Sequence, residues 1–136
     1  MGAWGPGIFD DDTAYDYIEE IENAENPKDV FIKAFETAMD TDYLEYDDCH
    51  AVTVSASYID SIINGTKPRV DAADENFYPF IEKHKMLDVM HLKANAVKAL
   101  EIVMSDNSEL NELWSDNAEL YPKWRGNIQD LIDRLK

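Results

Sequence analysis

The chain has 136 residues, room for one self-sufficient hydrophobic core. With 45% hydrophobic residues, three Trp, seven Tyr and five Phe, it is not a disordered chain despite its charge. That charge is lopsided, 12 basic residues against 29 acidic ones for a formal net charge of −17, and a field of that sign excludes phosphate backbones and anionic membranes as direct partners.

The opening, Met1-Gly-Ala-Trp-Gly-Pro-Gly-Ile-Phe9, cannot continue a helix. It predicts a tight turn that tucks Trp4 and Phe9 against the core, near Trp114 or Trp124. Asp10, Asp11 and Asp12 follow, and then Ala14, Tyr17, Ile18 and Ile21 recur at helical spacing. Carboxylates at a helix start accept free backbone N–H groups, so a first helix is expected over about 11–23, capped by Asp10 or Asp11. Asn26-Pro27 is a helix-start pair, and Val30, Phe31, Ala34, Phe35 and Ala38 make one apolar stripe to about Met39. Residues 40–47 are acidic and irregular, with Tyr43, Leu44 and Tyr46 as anchors.

The next segment is ambiguous where it begins, because Val52, Val54 and Ala56 alternate like a strand. Cys49, Val52, Ala56, Ile59 and Ile63, however, run at spacings of three and four and end at Gly65, a good left-handed terminator. A helix is predicted, and Ala51, Tyr58 and Ile62 on its other flank make it the central one. A loop over 65–74 leads to a short helix with Phe77, Phe80 and Ile81, Pro79 lying in its first turn. A long helix over about 87–105 carries Val89, Leu92, Ala96, Ala99, Leu100 and Val103. Asn107-Ser-Glu-Leu opens a sixth helix with Leu110, Leu113 and Trp114, and Pro122 opens a seventh with Trp124, Ile128, Leu131 and Leu135. The expectation is an all-α, compact single-domain bundle of about six to seven helices behind an irregular Gly-rich N-terminal segment. No linker or internal repeat divides it.

Three stretches carry a family resemblance. Gly2-Ala-Trp-Gly5, Gly7, Phe9-Asp-Asp-Asp12, Ala14 and Asp16 form the first, Tyr43-Leu44-Glu45 the second, and Ser108-Glu-Leu-Asn-Glu-Leu-Trp114 with Trp124 and Leu131 through Leu135 the third. Together they resemble the group of small bacterial proteins called domain of unknown function forty-two fifty-nine. The resemblance spans nearly the whole chain and implies an all-helical domain from a bacterium or phage. It brings no catalytic residues. Asp11 stands where relatives often carry Asn, and Pro6 and Ile8 occupy positions the family varies.

Searching the residues for chemistry gives little. The carboxylates of Asp12 and Asp16, one helical turn apart, could share a cation, with Asp10 and Asp11 adding oxygens nearby. Asp40-Thr-Asp42 begins like a calcium loop but places Glu45 where glycine is needed and Ala51 where a bidentate acid is needed. His84 and His91, with Asp88 between them, are the other metal candidates, and Asp88 and His91 are spaced to meet on one helix face, yet a di-iron site needs Glu-x-x-His on two helices. Cys49 is the one cysteine, so there is no internal disulfide or cysteine metal cluster, and adjacent Cys49 and His50 point about 100° apart on a helix. Hydrolase and phosphate-loop motifs are missing. No catalytic, cofactor-binding or metal-binding residues are assigned.

Charge is the remaining signal. Residues 1–68 hold 16 acidic and three basic side chains, against 13 and nine in residues 69–136. The expected function is a non-catalytic interaction module, of the immunity or inhibitor type, that masks a basic protein partner such as a nuclease toxin. Its candidate surface comprises Asp11, Asp12, Asp16, Glu19, Glu22, Glu25 and Asp29, continuing through Glu36, Asp40, Asp42, Glu45, Asp47 and Asp48. The alternatives are a small metal-dependent enzyme or ligand-binding protein using the N-terminal Asp cluster, and a nucleic-acid mimic. A cytoplasmic location is expected, since no secretory signal pattern or apolar run of roughly 18 residues occurs. Oligomeric state has no sequence signal.

Overall fold

The computed structural model describes residues 5–68 and 77–136. Among them are seven α-helices: α1 (Asp12–Asn23), α2 (Pro27–Asp40), α3 (Tyr46–Asn64), α4 (Phe77–His84), α5 (Lys93–Val103), α6 (Glu109–Ser115) and α7 (Tyr121–Leu135). The all-α reading holds.

The helices begin and end for local reasons. Asp11 is extended and its Oδ1 accepts from the Thr13 amide at 2.8 Å, so it is the N-cap of α1. Pro27 starts α2, where its missing N–H costs nothing. Gly65 adopts φ +72° and donates its N–H to the Ser61 carbonyl, ending α3 in the left-handed conformation that glycine permits. Ser108 caps α6 through its hydroxyl, which accepts from the Asn111 amide.

The expected long helix over about 87–105 starts later than its periodicity suggests. Leu87 closes back on the His84 carbonyl, and a 3-10 turn (Met90–Leu92) precedes α5. Val89 and Leu92 are buried three residues apart, and a 3-10 turn brings such positions into line as well as an α-helix does. The hydrophobic spacing is therefore met without a full helix.

Helix α3 is the axis of the fold. Every residue from Cys49 to Ile62 is buried, and α3 packs against all six other helices. A helix buried all round needs apolar or small residues on every face, and Ala51, Ala56, Ser55, Ser57 and Ser61 supply the small ones. Its start is fastened from a distance: Leu44 pairs in a single parallel bridge with Ser108, and the Tyr46 amide donates to Glu109 Oε1 at 2.8 Å. Glu109 thus satisfies one of the orphan amides in the first turn of α3.

Before α1, the Gly7 amide donates to Asp10 Oδ2 and the Asp10 amide to the Gly7 carbonyl. A Cβ at Gly5 or Gly7 would lie 2.6 or 2.7 Å from that carboxylate oxygen, so a larger residue at either place would push the Asp10 side chain from its position at the Gly7 amide. Asn127 on α7 donates to the Pro6 carbonyl and anchors the segment. Phe9 is buried as expected, and its ring partner is Phe77 of α4, in an edge-on contact at 5.6 Å. Trp114 and Trp124 stack on one another at 6.3 Å. Trp4 lies outside the described residues.

Candidate functional site

The acidic side chains of the N-terminal half fall into two populations. Asp12, Asp16, Glu19, Glu20, Glu25, Asp29, Glu36, Asp40, Asp42, Glu45 and Asp47 are exposed, spread over α1, α2 and the turn into α3. Those on α1 and α2 lie between the apolar positions that turn toward α3, so amphipathic periodicity itself puts them on the outside. The basic residues of residues 5–68 are Lys28, Lys33 and Lys67, and none of them forms an ion pair with a described residue. The negative face is left largely uncompensated.

Asp11 belongs to the other population, and this corrects its assignment to the surface. It is 2% exposed. While Oδ1 caps α1, Oδ2 accepts a hydrogen bond from the Tyr46 hydroxyl and lies 3.3 Å from Nε2 of His50. A buried carboxylate can stay ionised only if such donors replace water. Burial alone would raise its pKa, but the approach of His50, the Tyr46 hydroxyl and the Thr13 amide outweigh burial and lower it to about 2. His50 is itself buried, packed on the Tyr46 ring at 4.8 Å, and its Nδ1 has no hydrogen-bond partner among the described residues. Glu22 is half-buried and accepts from the Tyr58 hydroxyl at 3.0 Å, so its carboxylate is engaged by the core. Asp60, 1% exposed, is held by Arg134 and Asn64 at 2.8 Å each.

Asp48 leads to a feature that spacing did not bring out. It is half-buried and lines a groove of about 270 Å³ between α1, α2 and α3. Tyr17 and Glu20 enter it from α1, Asp29, Val30, Lys33, Ala34 and Thr37 from α2, and Asp48 and Ala51 from α3. Ala34 and Ala51 are small enough to leave the space open where the helices meet. The Tyr17 phenol has its pKa pushed up to about 12, by burial first and then by the negative charges of Asp48, Asp47, Glu20 and Asp16. The carboxylates of two helices, α1 and α3, therefore act on one point. Glu20 was absent from the expected surface. Its signal was its i, i+3 spacing from Tyr17, which gains meaning only once α2 and α3 are packed beside it.

The other chemical candidates separate. Asp12 and Asp16 are both exposed on α1. The segment 40–51 does not form a loop, since α3 starts at Tyr46. Asp88 and His91 do approach, at 3.8 Å, but with both side chains largely in solvent. His84 turns to its own helix, stacked on Phe80 with Nδ1 at the Phe80 carbonyl. Cys49 faces the Leu44 carbonyl and the Ser108 hydroxyl, while His50 faces Asp11, so the adjacent pair does diverge. Among the described residues no three His, Cys, Asp or Glu side chains converge as metal ligands, and no helix is long and apolar enough to cross a membrane.

The chain belongs to the family described as domain of unknown function (DUF4259), whose family model matches residues 2–127. Neither a curated protein nor a solved structure matches it.

Proposed function

We propose that this member of a family without an assigned activity is a non-catalytic interaction module that binds a basic protein partner, in the manner of an immunity or inhibitor protein. The observation that carries the reading is the uncompensated acidic face of α1, α2 and the start of α3, where eleven exposed carboxylates have no ion pair with a described basic residue. Such a face raises the encounter rate with a cationic surface and penalises anionic ones. The two acids that could have served chemistry from buried positions, Asp11 and Asp60, are instead consumed by capping and by internal pairing. What is left outside is charge arranged for recognition.

Affinity capture from the source cell, at low and at roughly physiological ionic strength, tests this, because exposed charges are screened beyond about 8 Å at the higher salt. A cationic protein is expected to be retained at low salt and to elute as salt rises. Retention of neutral or acidic proteins alone would show that the acidic face serves another purpose.

A further inference from the structure

The groove between α1, α2 and α3 differs from the rest of the acidic face in shape. Elsewhere the exposed carboxylates are spread along α1, α2 and the turn into α3. Here Glu20, Asp29 and Asp48 ring a recess with an aromatic and aliphatic lining, Tyr17, Val30 and Ala34 among it. None of the three carboxylates has a hydrogen-bond or ion-pair partner among the described residues, and Lys33, the one cation at the rim, pairs with none of them. At about 270 Å³ the recess lies below the roughly 300–1,000 Å³ of sites that enclose whole small molecules. It suits a side chain.

We propose that this groove is the receptor for an arginine side chain of the basic partner protein, with Glu20, Asp29 and Asp48 holding the guanidinium and the apolar lining taking its methylene stem. The inference rests on the interaction-module reading above and specifies where the central contact is made. Arginine fits better than lysine for three reasons. A planar guanidinium offers five donors to several carboxylates at once, is more weakly hydrated than an ammonium, and packs on an aromatic face such as Tyr17. Its three-carbon stem buries against Val30 and Ala34 while the charge stays at the carboxylates. A macromolecular source is favoured over a free cation by continuity, since Asp16 and Asp47, which act on the Tyr17 phenol, are themselves exposed and extend the field outward onto the surrounding face. An anchor side chain in a recess surrounded by steering charge is the common form of an interface hot spot.

The test uses the full ¹⁵N-labelled chain with hexaarginine, hexalysine and spermidine as probes, followed by amide shifts at low ionic strength. Hexaarginine should shift Tyr17, Lys33 and Ala51. Its affinity should fall about tenfold or more in Asp29→Asn/Asp48→Asn, but only about twofold in the control Asp40→Asn/Asp42→Asn. Hexalysine should bind several-fold more weakly. Equal losses in the two double variants would overturn the groove as the receptor and leave the acidic-face reading standing. Spermidine occupying the groove as tightly as hexaarginine would overturn the choice of a protein arginine in favour of a small polyamine. No binding of any cationic probe would overturn both readings.

Discussion

Asp11 shows how far a side chain's role depends on what folds beside it. Its capping role is readable from the chain, because an acid before an apolar helical stripe satisfies amides at the helix start. Its burial is not readable, because Tyr46 and His50 lie 35 and 39 positions away in sequence. The consequence is a pH dependence of known sign. The folded-state pKa, about 2, is depressed below the ordinary 3.8, so the stabilisation is fully present above about pH 4 and is lost as pH falls through about 2. Asp11→Asn keeps a competent cap through its amide oxygen but removes the charge and the acceptor that faces the Tyr46 hydroxyl. It should cost about 2 kcal/mol in urea melts at pH 6, with the deficit narrowing below about pH 4 and closing near pH 2. A deficit unchanged with pH would assign the loss to packing instead.

Among the helices, α3 was the most legible in its course and the least legible in its surroundings. Cys49, Val52, Ala56, Ile59 and Ile63 fixed a helix ending at Gly65, and the apolar flank pointed to a central position. What anchors its start, the bridge from Leu44 to Ser108 and the side chain of Glu109, involves residues about 60 positions away that no local pattern connects. The converse occurred before α5, where Val89 and Leu92 keep helical spacing but sit in a 3-10 turn and its approach, since burial three residues apart does not discriminate between the two geometries. Ile59 is fully buried on α3, at the centre of the packing. Ile59→Ala should therefore destabilise the protein by about 2–5 kcal/mol, the range for deleting a large aliphatic side chain from a core. Equilibrium denaturation measures it, and a loss below about 1 kcal/mol would mean that α3 is not the axis described here.

The distribution of charge over the folded chain is the feature most visible in the sequence and the one on which the functional reading depends. The acids and bases of the sequence mark the negative half, and ten of the thirteen expected carboxylates are exposed, those of α1 and α2 because helical periodicity turns them outward. The exceptions, Asp11, Glu22 and Asp48, are those whose carboxylates face inter-helix space, which a charge count cannot resolve. Like charges this dense repel one another and lower stability. The most direct measurement is the association rate with the captured cationic partner as a function of ionic strength, for the parent chain and for a variant carrying Glu19→Gln, Glu25→Gln, Asp29→Asn and Glu36→Gln. The variant should associate about tenfold more slowly at low salt, with a flatter salt dependence and an equal or slightly higher Tm. An unchanged rate with an unchanged salt dependence would contradict recognition through the acidic face.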